Sequence, residues 1–355
     1  MRTDELDYEL PPGRIATRPA SRRDAAKLLV VSRSDPDLIE HCTVHDLPLH
    51  LQADDLLVFN TSRVLPARFV GERLDTGGKV VGLYLHDADE PDHWVVLLKS
   101  RRFKEGSPVA VFDHAHKDSG LRLILVRRDP SESGAWLVRV EGGTKDSLER
   151  VGLTPLPPYI LSARKQAHIR VPDEEDRRRY QTIYADQPGS VAAPTAGLHF
   201  TPELLGALDA RGIRQANIVL HVGTGTFKPI DADDLAQHEM HAETCSLGPG
   251  TAEAIESAGR VFAVGTTSAR ALETFAAIPD QRPDSVDTRL FIAPGYEWRW
   301  CEGMLTNFHL PRSSLLAMVA SMFPEGVPRL KEIYRIAIEQ KYRFYSFGDA
   351  MLILP

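Results

Sequence analysis

The sequence predicts an α/β fold in which a layered, mostly parallel or mixed sheet is flanked by helices and interrupted by a small antiparallel β-barrel. Two observations support this prediction. Apolar strand-like runs alternate with segments of helical period over most of the chain, and between residues 68 and 142 short strand-like runs follow one another without a helix. A chain of 355 residues, 43% of them hydrophobic, is long enough for about two domains with apolar cores.

The predicted barrel consists of short runs rich in valine, leucine and aromatic residues, separated by turn formers. About six antiparallel strands that close on themselves leave no unpaired edge. We therefore predict an inserted β-barrel domain at 68–150 and a discontinuous α/β catalytic domain at 1–67 and 151–355. The strand-like runs of the insert are Lys79–His86, His93–Lys99, Pro108–Phe112, Leu121–Arg128 and Ala135–Val140.

The flanking segments predict the elements of the larger sheet. The expected strands are Leu56–Asn60, Asn217–Val222, Arg260–Gly265 and Arg289–Ile292. The expected helices are Pro202–Arg211, Gly250–Ala258, Ser268–Ala277, Ser313–Met322 and Val327–Lys341. Ligands of such sheets bind beyond the carboxyl ends of the strands, so the loops after these strands are the first place to look for chemistry.

Composition limits the classes of function. The net charge of −7 argues against a protein that coats nucleic acid, and no apolar run approaches the roughly 18 residues of a membrane span. The three cysteines lie far apart, which favours neither disulfides nor a cysteine metal cluster. We expect a cytoplasmic monomer that contacts no membrane.

The clearest strand-end loop follows Gly265. Its hydroxyl residues Thr266, Thr267 and Ser268 can cap a helix, while the free backbone N–H groups there can receive an anion or a carboxylate. The guanidinium of Arg270 in the first turn would add a positive charge and paired N–H donors for such a group. A simple helix cap with a surface arginine is an equally good explanation of this spacing.

Two further loops combine small residues with a histidine. The segment 189–203 ends its tight turn at His199, and the segment 220–229 places His221 before a glycine-rich turn. An imidazole in such a loop can act as acid or base near neutral pH, although a histidine before a helix is ordinarily structural. The second loop lacks the third glycine of a dinucleotide fingerprint and a Walker lysine–serine pair, so it indicates neither nucleotide motif.

A histidine pair at His238 and His241, followed by Glu243, invites comparison with metal sites. The zincin pattern needs histidines four apart on one helical face, and these are three apart. Hydrogen-bonding or substrate-contacting roles are therefore favoured over a metal.

A last polar loop places Asn307 and His309 before an apolar helix, and the C-terminal segment 342–353 interleaves aromatic residues with Arg343 and Asp349. Aromatic residues beside an arginine can stack on bases. They belong more often to an apolar core, so this segment has two possible interpretations.

These loops belong to a longer series of segments that occur together and in order. The series comprises Tyr8–Pro11, Arg23–Asp24, Asp55–Asn60 with Arg63–Val64, Pro155–Ile160, Arg179–Ala185, Ala192–Phe200, Leu220–Gly223, Gly265–Ser268 with Arg270, Thr306–Pro311 and Tyr342–Met351. With these segments the chain, from Asp7 to Ile353, resembles the S-adenosylmethionine:tRNA ribosyltransferase-isomerase family. No single segment would suffice, but the set is specific.

The resemblance implies a larger α/β domain with a small inserted β-barrel, and a reaction in which S-adenosylmethionine donates its ribosyl group rather than its methyl group. The acceptor would be the aminomethyl group of 7-aminomethyl-7-deazaguanine at the wobble position of tRNA. Adenine and methionine would leave, and epoxyqueuosine would remain. S-adenosylmethionine would be a co-substrate, with no prosthetic group and no metal.

Site roles follow from the resemblance as hypotheses. His199 or His309 would remove the proton beside the sulfonium or assist departure of adenine, with His221 in reserve. Arg270 and the hydroxyl residues before it would hold the methionine carboxylate or ribose oxygens. The full predicted set is His199, His309, His221 and Arg270 for catalysis, and Thr195, Gly197, Gly223, Gly225, Thr266, Thr267, Ser268 and Asn307 for substrate binding.

The tRNA substrate adds two expectations. Amino and imino donors of the deazaguanine favour a carboxylate acceptor, for which Asp24, Glu243 and Asp349 are unranked candidates. Basic stretches, which can also be simply solvated faces, would bind the phosphates and make binding sensitive to salt. The predicted tRNA-binding residues are Arg14, Arg22, Arg23, Arg101, Arg102 and Lys165.

Two other functions compete with this one. An ordinary S-adenosylmethionine methyltransferase would carry a glycine-rich loop after its first strand and an acidic strand end, which are missing. A non-enzymatic RNA-binding module could use the barrel as an oligonucleotide platform. An interleaved basic and aromatic surface is not evident in the sequence of the insert, and this function would leave the histidine loops unexplained.

Overall fold

The structure is a computed structural model, and its largest element is a nine-stranded mixed sheet. It describes residues 1–11, 13–99, 103–130, 134–143, 146–223, 225, 230, 232–238, 240–278 and 283–355. The strands are β1 (Lys27–Ser32), β2 (Ile39–Thr43), β3 (Asp55–Asn60), β4 (Ser62–Val64), β5 (Arg68–Arg73), β6 (Lys79–Asp87), β7 (His93–Lys99), β8 (Pro108–Phe112), β9 (Asp118–Arg128), β10 (Ala135–Glu141), β11 (Gln187–Ser190), β12 (Arg214–Leu220), β13 (Glu243–Leu247), β14 (Arg260–Val264), β15 (Val286–Thr288), β16 (Gly303–Asn307) and β17 (Ala350–Leu354).

Eight α-helices accompany these strands in the described part of the chain. They are α1 (Ser147–Val151), α2 (Pro158–Gln166), α3 (Asp173–Arg179), α4 (Pro202–Asp209), α5 (Thr251–Glu256), α6 (Thr266–Ala276), α7 (Ser314–Ala320) and α8 (Val327–Glu339). None of the helices in the described ranges is both long and apolar enough to cross a membrane.

The main sheet has the order β15-β13-β12-β3-β14-β16-β17-β1-β2. Its four central strands, β12, β3, β14 and β16, pair in parallel, whereas β16–β17, β1–β2, β12–β13 and β13–β15 are antiparallel. The carboxyl ends of the four parallel strands therefore open at one edge. The short strand β4 follows β3 directly in the chain. It pairs in parallel with β11 in a separate two-stranded sheet.

Apolar residues cover both faces of the main sheet. One core packs α6, α7 and α8 against it through residues such as Leu272, Leu316 and Ile333. The other packs α4 against the opposite face through Leu204 and Leu208. Burial on both faces explains why β3 and β16 are continuous buried runs rather than alternating ones.

The barrel closes in the order β10-β7-β6-β5-β8-β9, with every pair antiparallel. Val96, Leu123 and Trp136 belong to its apolar interior. Gly82 on β6 lies under the ring of Phe69, where a Cβ would come within 2.0 Å of the ring. Any side chain larger than that of glycine would clash at this position, because the Phe69 ring already fills the space.

The predicted fold class is confirmed, with a mixed sheet and a closed six-stranded barrel. All six barrel strands fall inside the predicted insert, whose boundaries at 68 and 150 remain predictions. The strand expected at Arg289–Ile292 is wrong, because the edge strand is β15 and the residues after it leave the ladder. Ile292 is apolar because it packs into the main core from a loop, where periodicity does not apply.

Candidate functional site

One cavity lies where the loops after β12, β14 and β16 meet the segment after β11. It is lined by Tyr159, Ala193, Pro194, Thr195, Ala196, Val222, Gly265, Thr266, Thr267, Thr306, Asn307, Phe308, His309, Leu310, Leu315, Tyr345 and Ser346. Since the central strands are parallel, their carboxyl ends bring these loops to the same edge. The lining of the cavity is mostly apolar, with a few convergent polar groups. Small-molecule sites generally have this character.

The β14–α6 turn brings a helix N-terminus to this cavity. Gly265 has φ +90°, a conformation that favours glycine, and α6 begins at the next residue. The hydroxyl of Ser268 donates to the carbonyl of Val264 at 2.9 Å and is thereby used inside the turn. Thr266 and Thr267 instead line the cavity at the first turn, where backbone N–H groups have no partner within the helix.

Asn60, at the end of β3, ties this turn to the next strand. Its amide nitrogen donates to the Leu220 carbonyl at 3.0 Å and to Thr267 Oγ1 at 3.1 Å. Its amide oxygen accepts from the backbone N–H of Ser62 and Leu220. One buried amide therefore fixes the ends of β3 and β12 relative to α6.

Asn307, at the end of β16, holds a second set of cavity residues. Its Oδ1 accepts from Thr195 Oγ1 at 2.8 Å, and its Nδ2 donates to the Asp349 carbonyl at 3.3 Å. Nδ2 also lies 3.2 Å from His199 Nε2. Because an amide nitrogen only donates, Nε2 is the acceptor, and Nδ1 of His199 carries the proton of the neutral ring.

His309 lines the cavity and is held from three sides. Its Nε2 shares a hydrogen bond of 2.9 Å with Thr306 Oγ1. Its backbone N–H donates to the Tyr334 hydroxyl at 2.9 Å, and its carbonyl accepts from the Tyr8 hydroxyl at 2.5 Å. These contacts fix both the ring and the backbone of a residue that no element of regular structure contains.

Burial keeps the imidazoles at this edge neutral. It lowers the pKa of His309 to about 3 and that of His199 to about 4, where Asp349 acts in the opposite direction. Burial also lowers the pKa of His221, whose Nδ1 lies 2.8 Å from Ser62 Oγ. A neutral imidazole can accept a proton at physiological pH, and of these rings only His309 lines the cavity.

A buried ion pair lies beside the cavity rather than in its lining. Arg270 on α6 pairs with Glu243 on β13, whose carboxylate also accepts from the Gly223 backbone N–H at 2.9 Å. Burial lowers the pKa of Arg270 to about 10. Gly225 lies against the ring of His241 on this side. Gly223, Glu243 and Arg270 thus form one group next to the loop after β12, whereas Gly225 contacts His241.

The other two predicted carboxylates are also paired. Asp349 accepts from Arg343 through both guanidinium and backbone donors and from the Lys27 backbone N–H. Asp24 is buried against the exposed Arg22. Neither lines the cavity, although the Asp349 backbone reaches it through Asn307.

Gly197 has a packing role that is visible in the structure. It belongs to a short 3-10 helix, Thr195–His199, that carries two cavity residues on its first turn. A Cβ at Gly197 would lie 2.0 Å from the hydroxyl of Tyr184. The absence of a side chain at Gly197 therefore lets the 3-10 helix pack closely against Tyr184.

Those predicted tRNA-binding residues that the structure describes lie outside the cavity. Arg22 and Lys165 are exposed, whereas Arg14 and Arg23 are half-buried. Arg23 donates to the carbonyl of Leu198, next to His199. Residues 101 and 102 fall outside the described residues.

The histidines at 238 and 241 do not form a metal centre with described neighbours. Across the ranges that the structure covers, no three histidine, cysteine or acidic side chains are grouped to hold an ion. The ring of His238 instead packs edge-on against Phe291, with centroids 5.3 Å apart.

Sequence analysis missed several residues of the cavity and its support. Tyr159 and Ser346 share a hydrogen bond across the cavity wall, although 187 positions separate them in the chain. No local pattern indicates such a pair. Asn60 could have been noticed, since it is the one polar side chain at the end of an otherwise apolar run, Leu56–Phe59.

Comparison with known sequences gives a consistent result over nearly the whole chain. Residues 3–353 match the family model described as queuosine biosynthesis protein. An S-adenosylmethionine:tRNA ribosyltransferase-isomerase of Synechococcus elongatus is 46% identical over 99% of this chain and 96% of its own length. The enzyme of the same name from Gloeobacter violaceus is 47% identical over 99% and 96%, respectively.

A solved structure agrees with the sequence relatives. The crystal structure of S-adenosylmethionine tRNA ribosyltransferase from Thermotoga maritima is 32% identical, with a TM-score of 0.54. The match covers 99% of this chain and 100% of the other.

Proposed function

Because the chain belongs to the queuosine biosynthesis family of S-adenosylmethionine:tRNA ribosyltransferase-isomerases, we propose that it transfers and isomerises a ribosyl group onto tRNA. The donor is S-adenosylmethionine, and the acceptor is 7-aminomethyl-7-deazaguanine at the wobble position. The products are epoxyqueuosine-tRNA, adenine and methionine. The observation that carries this proposal is the cavity that the loops at the carboxyl ends of β12, β14 and β16 share.

The cavity suits the chemistry at the sulfonium. Loss of a proton from the ribose carbon bonded to sulfur is favoured by the adjacent positive charge, and a water-poor site strengthens that effect. Pro194, Phe308, Leu310 and Leu315 give the cavity apolar walls. His309 is the proposed base, because it lines the cavity and its depressed pKa leaves the imidazole unprotonated.

His199 has a different role in this proposal. It does not line the cavity, but it lies 3.2 Å from the amide nitrogen of Asn307, which does. We assign His199 to positioning Asn307, and Asn307 together with Thr195 to orienting the reacting group. His221 remains the alternative base. It precedes the cavity residue Val222 in the chain, and its Nδ1 shares a hydrogen bond with Ser62 Oγ.

The start of α6 would hold the methionine part of the donor. A carboxylate is stabilised by free N–H groups and by the positive end of a helix, and Thr266 and Thr267 present both to the cavity. Arg270 sits one turn further and is already paired with Glu243. Its buried Nε has no hydrogen-bond partner among the described residues, so the pair with Glu243 leaves one donor of Arg270 unused.

The carboxylate that recognises the deazaguanine is proposed to be Glu243. Within the described part of the loop after β12, Glu243 is the one candidate of the three that is hydrogen-bonded to it, through Gly223, next to the cavity residue Val222. All three carboxylates are paired with an arginine, Glu243 with Arg270, Asp349 with Arg343 and Asp24 with Arg22, so the place of Glu243 beside this loop distinguishes it. A tRNA substrate also places the enzyme in the cytoplasm.

The function is tested with tRNA that carries 7-aminomethyl-7-deazaguanine. After incubation with S-adenosylmethionine, nucleoside digestion and mass spectrometry should show epoxyqueuosine, with one adenine released per modified tRNA. S-adenosylmethionine labelled in the ribose should label the tRNA, and donor labelled in the methyl group should not. Methyl label in the tRNA would instead identify a methyltransferase.

A further inference from the structure

A row of arginines lies on the surface beside the cavity, and we call it the arginine band. It consists of Arg18, Arg23, Arg170, Arg178, Arg179 and Arg343. Arg18 donates to the carbonyl of Arg170 at 3.1 Å, Arg343 to that of Arg18 at 3.4 Å, and Arg23 to that of Arg178 at 3.0 Å. These contacts join Arg18, Arg170 and Arg343 into one group and Arg23 and Arg178 into a second, with Arg179 beside Arg23. The members come from three separate parts of the chain.

The charge of the band is only partly compensated. Backbone carbonyls, which carry no net charge, hold Arg18, Arg23 and Arg179. The nearby carboxylates are Asp349, which pairs with Arg343, Glu175, which acts on Arg179, and Glu203, which lines the same surface pocket as Arg23 and Arg179. Six guanidinium groups thus face three carboxylates in a protein whose overall charge is −7.

The arginines also repel one another. Burial lowers the pKa of Arg23 and of Arg179, and neighbouring arginines lower both further. Ile183, an exposed apolar side chain, lies in the same surface pocket as Arg23 and Arg179, next to the start of α4. An anion with an apolar part would relieve the repulsion and cover Ile183 at the same time.

Two members of the band reach back to the cavity. Arg23 donates to the carbonyl of Leu198 at 3.0 Å, and its backbone hydrogen-bonds to His199. Arg343 pairs with Asp349, whose carbonyl accepts from Asn307. The band and the cavity are therefore joined through His199 and Asn307.

We propose that the arginine band binds the tRNA phosphates that flank the wobble nucleotide, and that this contact braces the loop carrying His199. The proposal rests on the proposed function for its substrate. RNA phosphates are the fitting partner because they present successive anions along a line, joined by sugars that can contact Ile183.

The test uses a double variant, Arg170→Gln with Arg178→Gln. Both side chains are exposed, and within the described residues neither takes part in a hydrogen bond or an ion pair, so their charge can be removed without breaking the fold. The matched control is Arg211→Gln with Arg335→Gln. These arginines are also exposed, and Arg211 lies close to the start of β12, at the opposite end of the strands from the cavity. Arg335 pairs with Glu339 at 2.7 Å, but an exposed pair of this kind contributes little to stability, so the control also folds.

Binding of an unmodified tRNA transcript is measured over a salt series by fluorescence anisotropy. We expect the slope of log K against log salt to become shallower by about 1.5 to 2, and affinity at low salt to fall about tenfold, in the double variant alone. A slope equal to that of the wild type would overturn the proposal. Adenine release by the wild-type enzyme tests the function separately, since transcript binding requires no chemistry.

Discussion

The barrel and the cavity edge of the main sheet differ in the order of their strands along the chain and in the kind of residue that they bury. The barrel uses six strands that are consecutive in the chain, β5 to β10, around an interior of residues such as Val96 and Leu123. The cavity edge draws on strands that begin as early as residue 55 and end as late as 307, and it buries Asn60, Asn307 and His309. Apolar burial sustains the first region, and satisfied hydrogen bonds sustain the second.

This difference separates stability from chemistry. A buried polar group costs about 1–3 kcal/mol when it loses its partner, so each polar residue at the cavity edge depends on another one. An apolar residue of the barrel interior, such as Leu123, depends instead on close packing. Substitutions in the two regions should therefore change different measurements.

The largest effect is expected for His309→Gln. Loss of the proposed base should slow adenine release about 10²–10⁴-fold, while glutamine keeps a polar group near Thr306. The control is His86→Gln, at an exposed barrel position, which should leave the rate unchanged. Wild-type rates in His309→Gln would remove the residue from the mechanism.

Leu123→Ala in the barrel should have the converse result. It leaves a hole among fully buried residues, which lowers the free energy of unfolding by about 2–5 kcal/mol. Adenine release per folded molecule should stay at the wild-type value. Urea titration measures the first quantity, and a large drop in the rate of the folded variant would show that the two regions are not separable.

Acid pH should lower the free energy of unfolding through the buried histidines at the cavity edge. In the unfolded chain histidines titrate near pH 6.5, whereas His199 and His309 in the folded protein have a pKa of about 4 and about 3. As pH falls below 6.5 the unfolded state takes up protons that the folded state does not, so stability is lost from pH 6.5 down to the folded values. At pH 5 the loss is about 2 kcal/mol for each histidine.

The corresponding measurement is urea unfolding at pH 7 and pH 5 in the wild type and in the variants His199→Asn and His309→Gln. Each variant should lose about 2 kcal/mol less than the wild type between the two pH values. Equal losses in all three proteins would mean that the imidazoles are not neutral in the folded state.

The smallest effect is expected for Gly82→Ala. The added Cβ meets the ring of Phe69, which can shift only by disturbing the barrel core, so a loss of about 1–3 kcal/mol is expected. Gly206→Ala on α4 is the matched control, because nothing lies within 4 Å of a Cβ there. Thermal denaturation of the two variants distinguishes a clash from a general intolerance of alanine.

Sequence patterns predicted the barrel well because its strands are local and bounded by turns. They failed at Arg289–Ile292, where apolar residues serve a loop that packs on the core, and they did not identify β1 or β17, which pair with each other across more than 300 residues. A terminal apolar run of five residues has no periodicity that distinguishes a strand from a buried helix.

The site was predictable only in part for the same reason. Thr266, Asn307 and His309 lie at the end of a strand or within two residues of it, a position that local patterns can indicate. The partners of these residues are distant in sequence: Tyr8 contacts His309 from the other end of the chain. The arginine band is likewise assembled from residues near 20, 175 and 343, and the negative net charge conceals it.

The location of bound S-adenosylmethionine tests the central claim most directly. Amide hydrogen exchange of the whole enzyme, measured by mass spectrometry with and without S-adenosylmethionine, should show added protection at residues 265–268 and 306–309. The barrel strands should exchange as before. Protection confined to the barrel, with no change at either cavity segment, would contradict the assignment of the donor to the carboxyl edge of the main sheet.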